Sequence, residues 1–85
     1  MEQLKIIGIL IKDRIKEANR TQAVLTNHAN IIKSRLGFHE VSPEVCSRVG
    51  VVLLQLTGTP NDWKKFEDEL QKIGGIEVKD MTFKF

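Results

Sequence analysis

The residues able to do chemistry are few and scattered: His28, His39, the single cysteine Cys46, and the acids Glu40 and Glu44 between the last two. Imidazole, thiolate and carboxylate are the donors that zinc and related ions take, but this spacing matches no regular metal motif, so no metal site is predicted. His28 falls near the end of a helical pattern, where the helix dipole favours a basic ring. Cys46, beside Ser47, has no helix N-terminus or glycine elbow to activate it, and no catalytic residue is assigned. No glycine-rich phosphate loop follows a strand. Asp13-Arg14 could hold a small anion at a helix N-terminus, although N-capping accounts for Asp13 equally well. If a ligand is bound, the residues to expect around it are Arg35, Gly37, His39 and Cys46. A solvated charge guarding a sheet edge is the other role open to Arg35. No cofactor is predicted, and a metal ion or an amino acid are the ligand chemistries left open.

The elements that must position these residues follow from periodicity. Residues 4–12, LKIIGILIK, are short, β-branched and bounded by charge, which reads as a strand. Asp13 caps a helix over residues 14–29 whose inward stripe is expected at Ile15, Ala18, Gln22, Leu25 and Ala29, with Asn30 as a left-handed stop. Residues 31–38 read as an edge strand carrying Lys33 and Arg35 on one face. His39 to Ser47, with Ser42-Pro43 inside, reads as the one substantial loop. Residues 48–57 give the strongest strand signal, and Gly58 turns the chain. Thr59-Pro60-Asn61-Asp62 then opens a helix with an apolar stripe at Trp63, Phe66, Leu70 and Ile73, ended by Gly74-Gly75. Residues 76–85 alternate as a last strand. Their apolar parity flips between Val78 and Met81, which predicts a bulge or a change of environment. Gly8, inside the first strand, predicts close backbone approach or packing against a helix.

This order, βαββαβ, predicts an α+β ferredoxin-like sandwich: a four-stranded antiparallel sheet with both helices on one face, and the first and third strands central. Eighty-five residues correspond to one domain over 1–85. At 41% hydrophobic and 28% charged, the composition excludes a disordered or collagen-like chain. No apolar run approaches a membrane span, no signal peptide is visible, and a lone cysteine excludes a disulfide scaffold, which together place the expected site of action in the cytoplasm. Residues 1–39 carry seven basic and three acidic residues, and the remainder six and eight, so no basic stripe of the kind that binds nucleic acid stands out. The two central strands hold no aromatic residue on which bases could stack, so RNA recognition in that mode is not expected, and neither is a membrane partner.

Two helices cover one face of a sheet, yet the central strands are apolar on both. Ile6, Gly8 and Leu10 alternate with Ile7, Ile9 and Ile11, and Val52, Leu54 and Leu56 with Val49, Val51 and Leu53. An uncovered antiparallel face should read polar, so the chain itself, as a homodimer or higher oligomer, is the expected cover.

Three segments resemble one family of small bacterial proteins, the iron-only hydrogenase system regulators. Residues 31–37, IIKSRLG, resemble that family's I-I-x-G-R-M-G stretch. Ile7 to Ile11 resemble its first strand, and residues 73–79, IGGIEVK, its L-P-G-V-x-V-K end. Ser34 stands where the family has glycine, Phe38-His39 replaces its Leu/Ile-Pro, and the segment around Cys46 is longer. The family is similar in fold to ACT domains and to the ligand-binding domain of the nickel-responsive repressor, whose histidine-rich strand this chain lacks. The resemblance implies an oligomeric regulatory or ligand-sensing domain rather than an enzyme. Because the first strand begins by residue 4, no DNA-binding segment is expected before it. A small dimeric αβ-barrel enzyme and a purely structural interaction module are the alternatives.

Overall fold

A computed structural model describes residues 3–41 and 46–85, apart from the side chains of residues 14 and 38–48. The elements are β1 (Gln3–Ile11), α1 (Arg14–Asn27), β2 (Ile32–Val41), β3 (Cys46–Leu56), α2 (Pro60–Gln71) and β4 (Ile76–Lys84), with a 3₁₀ turn at Ala29–Ile31. The strands form one sheet in the order β2-β3-β1-β4, every neighbouring pair antiparallel. The core lies between this sheet and both helices. It joins Ile7, Ile9, Leu54 and Leu56 of the central strands to Leu25 of α1 and to Trp63, Phe66 and Leu70 of α2. This is the ferredoxin-like βαββαβ sandwich.

Local chemistry sets the helix limits. Asp13 Oδ1 accepts from the amides of Ile15 at 3.1 Å and Lys16 at 3.3 Å, satisfying two of the free donors that begin α1. At α2 the Thr59 hydroxyl accepts from Asp62 N, and Asp62 accepts from Thr59 N at 3.0 Å, a reciprocal capping box. The Trp63 indole donates to the Thr57 carbonyl at 2.8 Å and fixes how the chain enters α2. Gly75, at φ 79°, supplies the left-handed residue that turns the chain after α2 into β4.

Several expectations are corrected. Helix α1 stops at Asn27, and no non-glycine residue among those described has positive φ, so Asn30 is not a left-handed stop. The His28 amide instead donates to the carbonyls of Val24 and Leu25, and Ile31 N to His28 O, a tightening into 3₁₀ geometry that satisfies the last carbonyls. The inward stripe of α1 is Glu17, Thr21 and Leu25. Ile15 is 66% exposed, and Ala18, Gln22 and Ala29 face outward from the core. The segment expected as a loop over 39–47 is mostly strand: β2 and β3 remain paired to Val41↔Cys46, with an irregularity between His39 and Val41. Main-chain pairing of the two antiparallel segments carries the strands through 39–41 and 46–47, and the expected turn at Ser42-Pro43 lies outside the described residues. The β1–β4 register runs without interruption from Gln3↔Lys84 to Ile11↔Ile76, so the parity flip is no bulge. It is a change of environment: Ile76 and Val78 pack toward the helices, whereas Met81 and Phe83 share the opposite face with Ile6 and Leu4. Gly8 also lies on that opposite face, across from Leu53, and packs against no helix.

Candidate functional site

The edge strand β2 brings two of the expected ligand residues to one side of the sheet. Arg35 pairs with Leu54 and Gly37 with Val52, both helix-facing positions, and the register places His39 next in that row, opposite Gly50. Cys46 pairs with Val41, eight positions along β3 from Leu54, or about 26 Å of extended strand, so Cys46 does not join Arg35. The side chains of His39 and Cys46 lie outside the described residues.

Helix α1 packs over β1 and β3 but stands clear of β2, and the gap is a groove. Its deeper part, about 370 Å³, has an apolar floor of Ile11, Leu25 and Val52, with Ala18, Gly37 and Gly50 keeping it open. A Cβ added at Gly37 would meet nothing within 4 Å. A second part, about 300 Å³, continues past Thr26, Ala29 and Ile32. Arg35 and Gln22 line both parts and span the groove between them, Arg35 Nη1 donating to Gln22 Oε1 at 3.1 Å. The guanidinium has five N–H donors, and among the described residues none meets a carboxylate. The stripe of α1 that sequence periodicity assigns to the core, Ala18, Gln22 and Ala29, is the wall of this groove. Gln22, the one polar member of that stripe, was the available signal.

A larger concavity, about 540 Å³, adjoins the second part of the groove at Lys33 and lies between Gln3, Pro60, Trp63 and Phe85. Its indole and its Thr59 hydroxyl already serve the turn into α2. Nearby, Lys5 occupies an inward position of β1. Its ammonium lies 2.5 Å from Asp80, 3.3 Å from Glu67, and 5.8 Å from the centre of the Trp63 ring. Burial alone would lower the Lys5 pKa, but the hydrogen bond to Asp80 and the ion pair with Glu67 outweigh it and hold the ammonium above its usual value. The Lys5 hydrogen bond holds the Asp80 carboxyl below its usual range, while burial pushes Glu67 up. A lysine at an inward position of an otherwise apolar strand was the sequence signal for this cluster. His28, at the end of α1, places Nε2 2.7 Å from Glu69 Oε2 of α2 and packs its ring on Phe66, centroids 5.0 Å apart. Among the described residues, no group of three or more His, Cys, Asp or Glu is placed to hold a metal ion. No helix among the described residues is long and apolar enough to cross a membrane.

The helix-free face of the sheet carries a large share of apolar side chains, with Gln55, Glu77 and Lys79 interspersed. Leu36, Leu53, Met81 and Phe83 are exposed by 56, 38, 55 and 49%, and Val49 by 43%. Ile6, Leu10 and Val51 lie half-buried between them.

Solved structures share this architecture. The uncharacterized protein TM1266 from Thermotoga maritima superposes with a TM-score of 0.81 at 24% identity, covering 98% of this chain and 100% of that one. CPII, a nitrogen regulatory PII-like protein from Thiomonas intermedia K12 solved with ADP, AMP and bicarbonate, gives 0.62 at 11% identity, covering 99% and 93%. A dimeric ferredoxin-like protein from an uncultured marine organism gives 0.50 at 8%, covering 95% and 92%. No curated protein matches the chain. Residues 3–80 match the TM1266-like family, described as "Iron-only hydrogenase system regulator, putative". The chain belongs to that family, the iron-only hydrogenase system regulators.

Proposed function

We propose that the chain is one subunit of a non-enzymatic, ligand-sensing regulatory oligomer acting in the cytoplasm, in which a second copy covers the open face of the sheet. The observation that carries this reading is the row of exposed Leu36, Val49, Leu53, Met81 and Phe83, because solvated faces of antiparallel sheets are ordinarily polar. Four strands of about nine residues present a surface roughly 20 by 30 Å. That is the scale of the ~800 Å² each partner contributes to a standard interface once side-chain relief is counted. The hairpin adds support. Beyond Gly50, the last partner of β1 on β3, the ends of β2 and β3 continue as two strands alone, and such a ribbon is marginal in water without packing. The family gives the reading its regulatory sense, and one of the similar folds is a dimer.

Sedimentation velocity tests it. The unmodified chain is expected to sediment as a dimer or larger at micromolar concentration, and Leu53→Glu to sediment as a monomer with its helical circular dichroism retained. A well-folded monomer from the unmodified chain sinks the reading.

A further inference from the structure

We propose that the groove between α1 and β2 binds a small organic carboxylate that has a short apolar tail and no ammonium group, with the carboxylate on Arg35. The proposal rests on the ligand-sensing reading and names the ligand class. Three features of the groove define that class. The floor of Ile11, Leu25 and Val52 is apolar and the space, about 370 Å³, suits a molecule of roughly ten heavy atoms or fewer. Among the described residues, the charged groups on its walls are cations, Arg35 in both parts and Lys33 in the second. Arg35 is held across the opening by a neutral acceptor, the Gln22 amide. A carboxylate would take the same guanidinium edge through two charge-assisted bonds, which are stronger than the single amide bond they replace.

Among the described residues, no acidic side chain lines either part of the groove. Glu17, one turn before Thr21 on α1, is buried elsewhere: a side chain at Gly75 would come within 3.2 Å of its Cγ. The Thr21 hydroxyl is engaged with the Glu17 carbonyl at 3.0 Å. An amino acid would therefore bring an ammonium into an apolar, cation-walled space with no counter-charge among the described residues, and desolvating it there is unfavourable. A simple or 2-oxo carboxylic acid of the same skeleton meets no such cost. Binding links α1 to the edge strand through the ligand, replacing the Arg35–Gln22 bond, and so couples occupancy to how the helix sits on the sheet.

Amide-resolved NMR titration in carboxylate-free buffer tests this, with 4-methylpentanoate as the probe and leucine and 4-methylpentanamide as comparators. Saturable shifts are expected at Ala18, Gln22, Arg35, Gly37 and Gly50, with both comparators binding at least tenfold more weakly. Arg35→Met should weaken the probe at least tenfold. Gly37→Leu, at an exposed position with open space around it, should fill the groove and abolish the shifts while the spectrum stays dispersed. Leucine binding as tightly as the probe overturns the proposal. So do probe shifts clustered at the Trp63–Phe85 end, or affinity unchanged in Arg35→Met. A dimer whose groove amides do not move overturns the site and leaves the oligomer standing; a monomer that binds the probe does the reverse.

Discussion

At the scale of single residues, the Lys5 cluster shows how one inward charge is accommodated. Its two carboxylates respond to pH in opposite senses. Asp80 has a depressed folded pKa, so its stabilisation is complete above about pH 4, its unfolded value, and is lost as pH falls further. Glu67 is raised by burial, so the folded state keeps that proton to higher pH than the unfolded chain does, and stability declines as pH rises from about 4 through the raised value. Asp80 is partly solvated, which discounts its pair with Lys5. Asp80→Asn should therefore cost about 0.5–1 kcal/mol near neutral pH and close to nothing at about pH 3, whereas Glu67→Gln should stay within about 0.5 kcal/mol near neutrality and flatten the decline above pH ~4. Urea unfolding at acid and neutral pH measures both. An Asp80→Asn loss of equal size at both pH values would assign the effect to packing rather than charge.

Among the elements, helix ends are specified by local rules and helix faces are not. Asp13, the Thr59–Asp62 box and Gly75 act on neighbouring backbone groups, so their roles could be read from spacing alone. The paired glycines after α2 separate conformation from composition. Gly75 has positive φ and a side chain there would press on Glu17, whereas Gly74 has neither constraint and open space around it. Gly75→Ala should cost about 1–2 kcal/mol and Gly74→Ala should be neutral or slightly stabilising, as read by thermal denaturation. Equal losses from the two would refute this division. The inward face of α1 differs from the one its periodicity predicts, because Glu17 and Thr21 occupy the inward stripe while Ala18, Gln22 and Ala29 wall the groove. Periodicity finds an amphipathic face but not which neighbour, if any, that face meets.

For the whole molecule, the balance of faces decides behaviour. The described residues span 48 by 24 by 18 Å, elongated because the β2–β3 hairpin continues past β1. A chain of this size buries only about 60% of its unfolded surface by itself. If a second copy supplies the missing cover, folding and association are linked by mass action, and the melting temperature must rise with chain concentration. A rise of several degrees over a hundredfold concentration range is expected for the unmodified chain and none for Leu53→Glu. A concentration-independent melt of the unmodified chain would mean that the open face is solvated in the folded state.

The order of elements, the central place of β1 and β3, the α2 stripe and the apolar character of both sheet faces were determined by sequence alone, because each depends on residues within a few positions of one another. The tertiary structure decided what depends on distant partners. It turned most of the expected loop over 39–47 into paired strand, because main-chain donors and acceptors on β2 and β3 satisfy one another. It set Arg35 across from Gln22 of α1 and left Cys46 far along the hairpin. It also gathered Lys5, Glu67 and Asp80, which are separated by as many as 75 positions, around one ammonium. Spacing along the chain carries no information about such meetings; only the packing of helices on the sheet creates them.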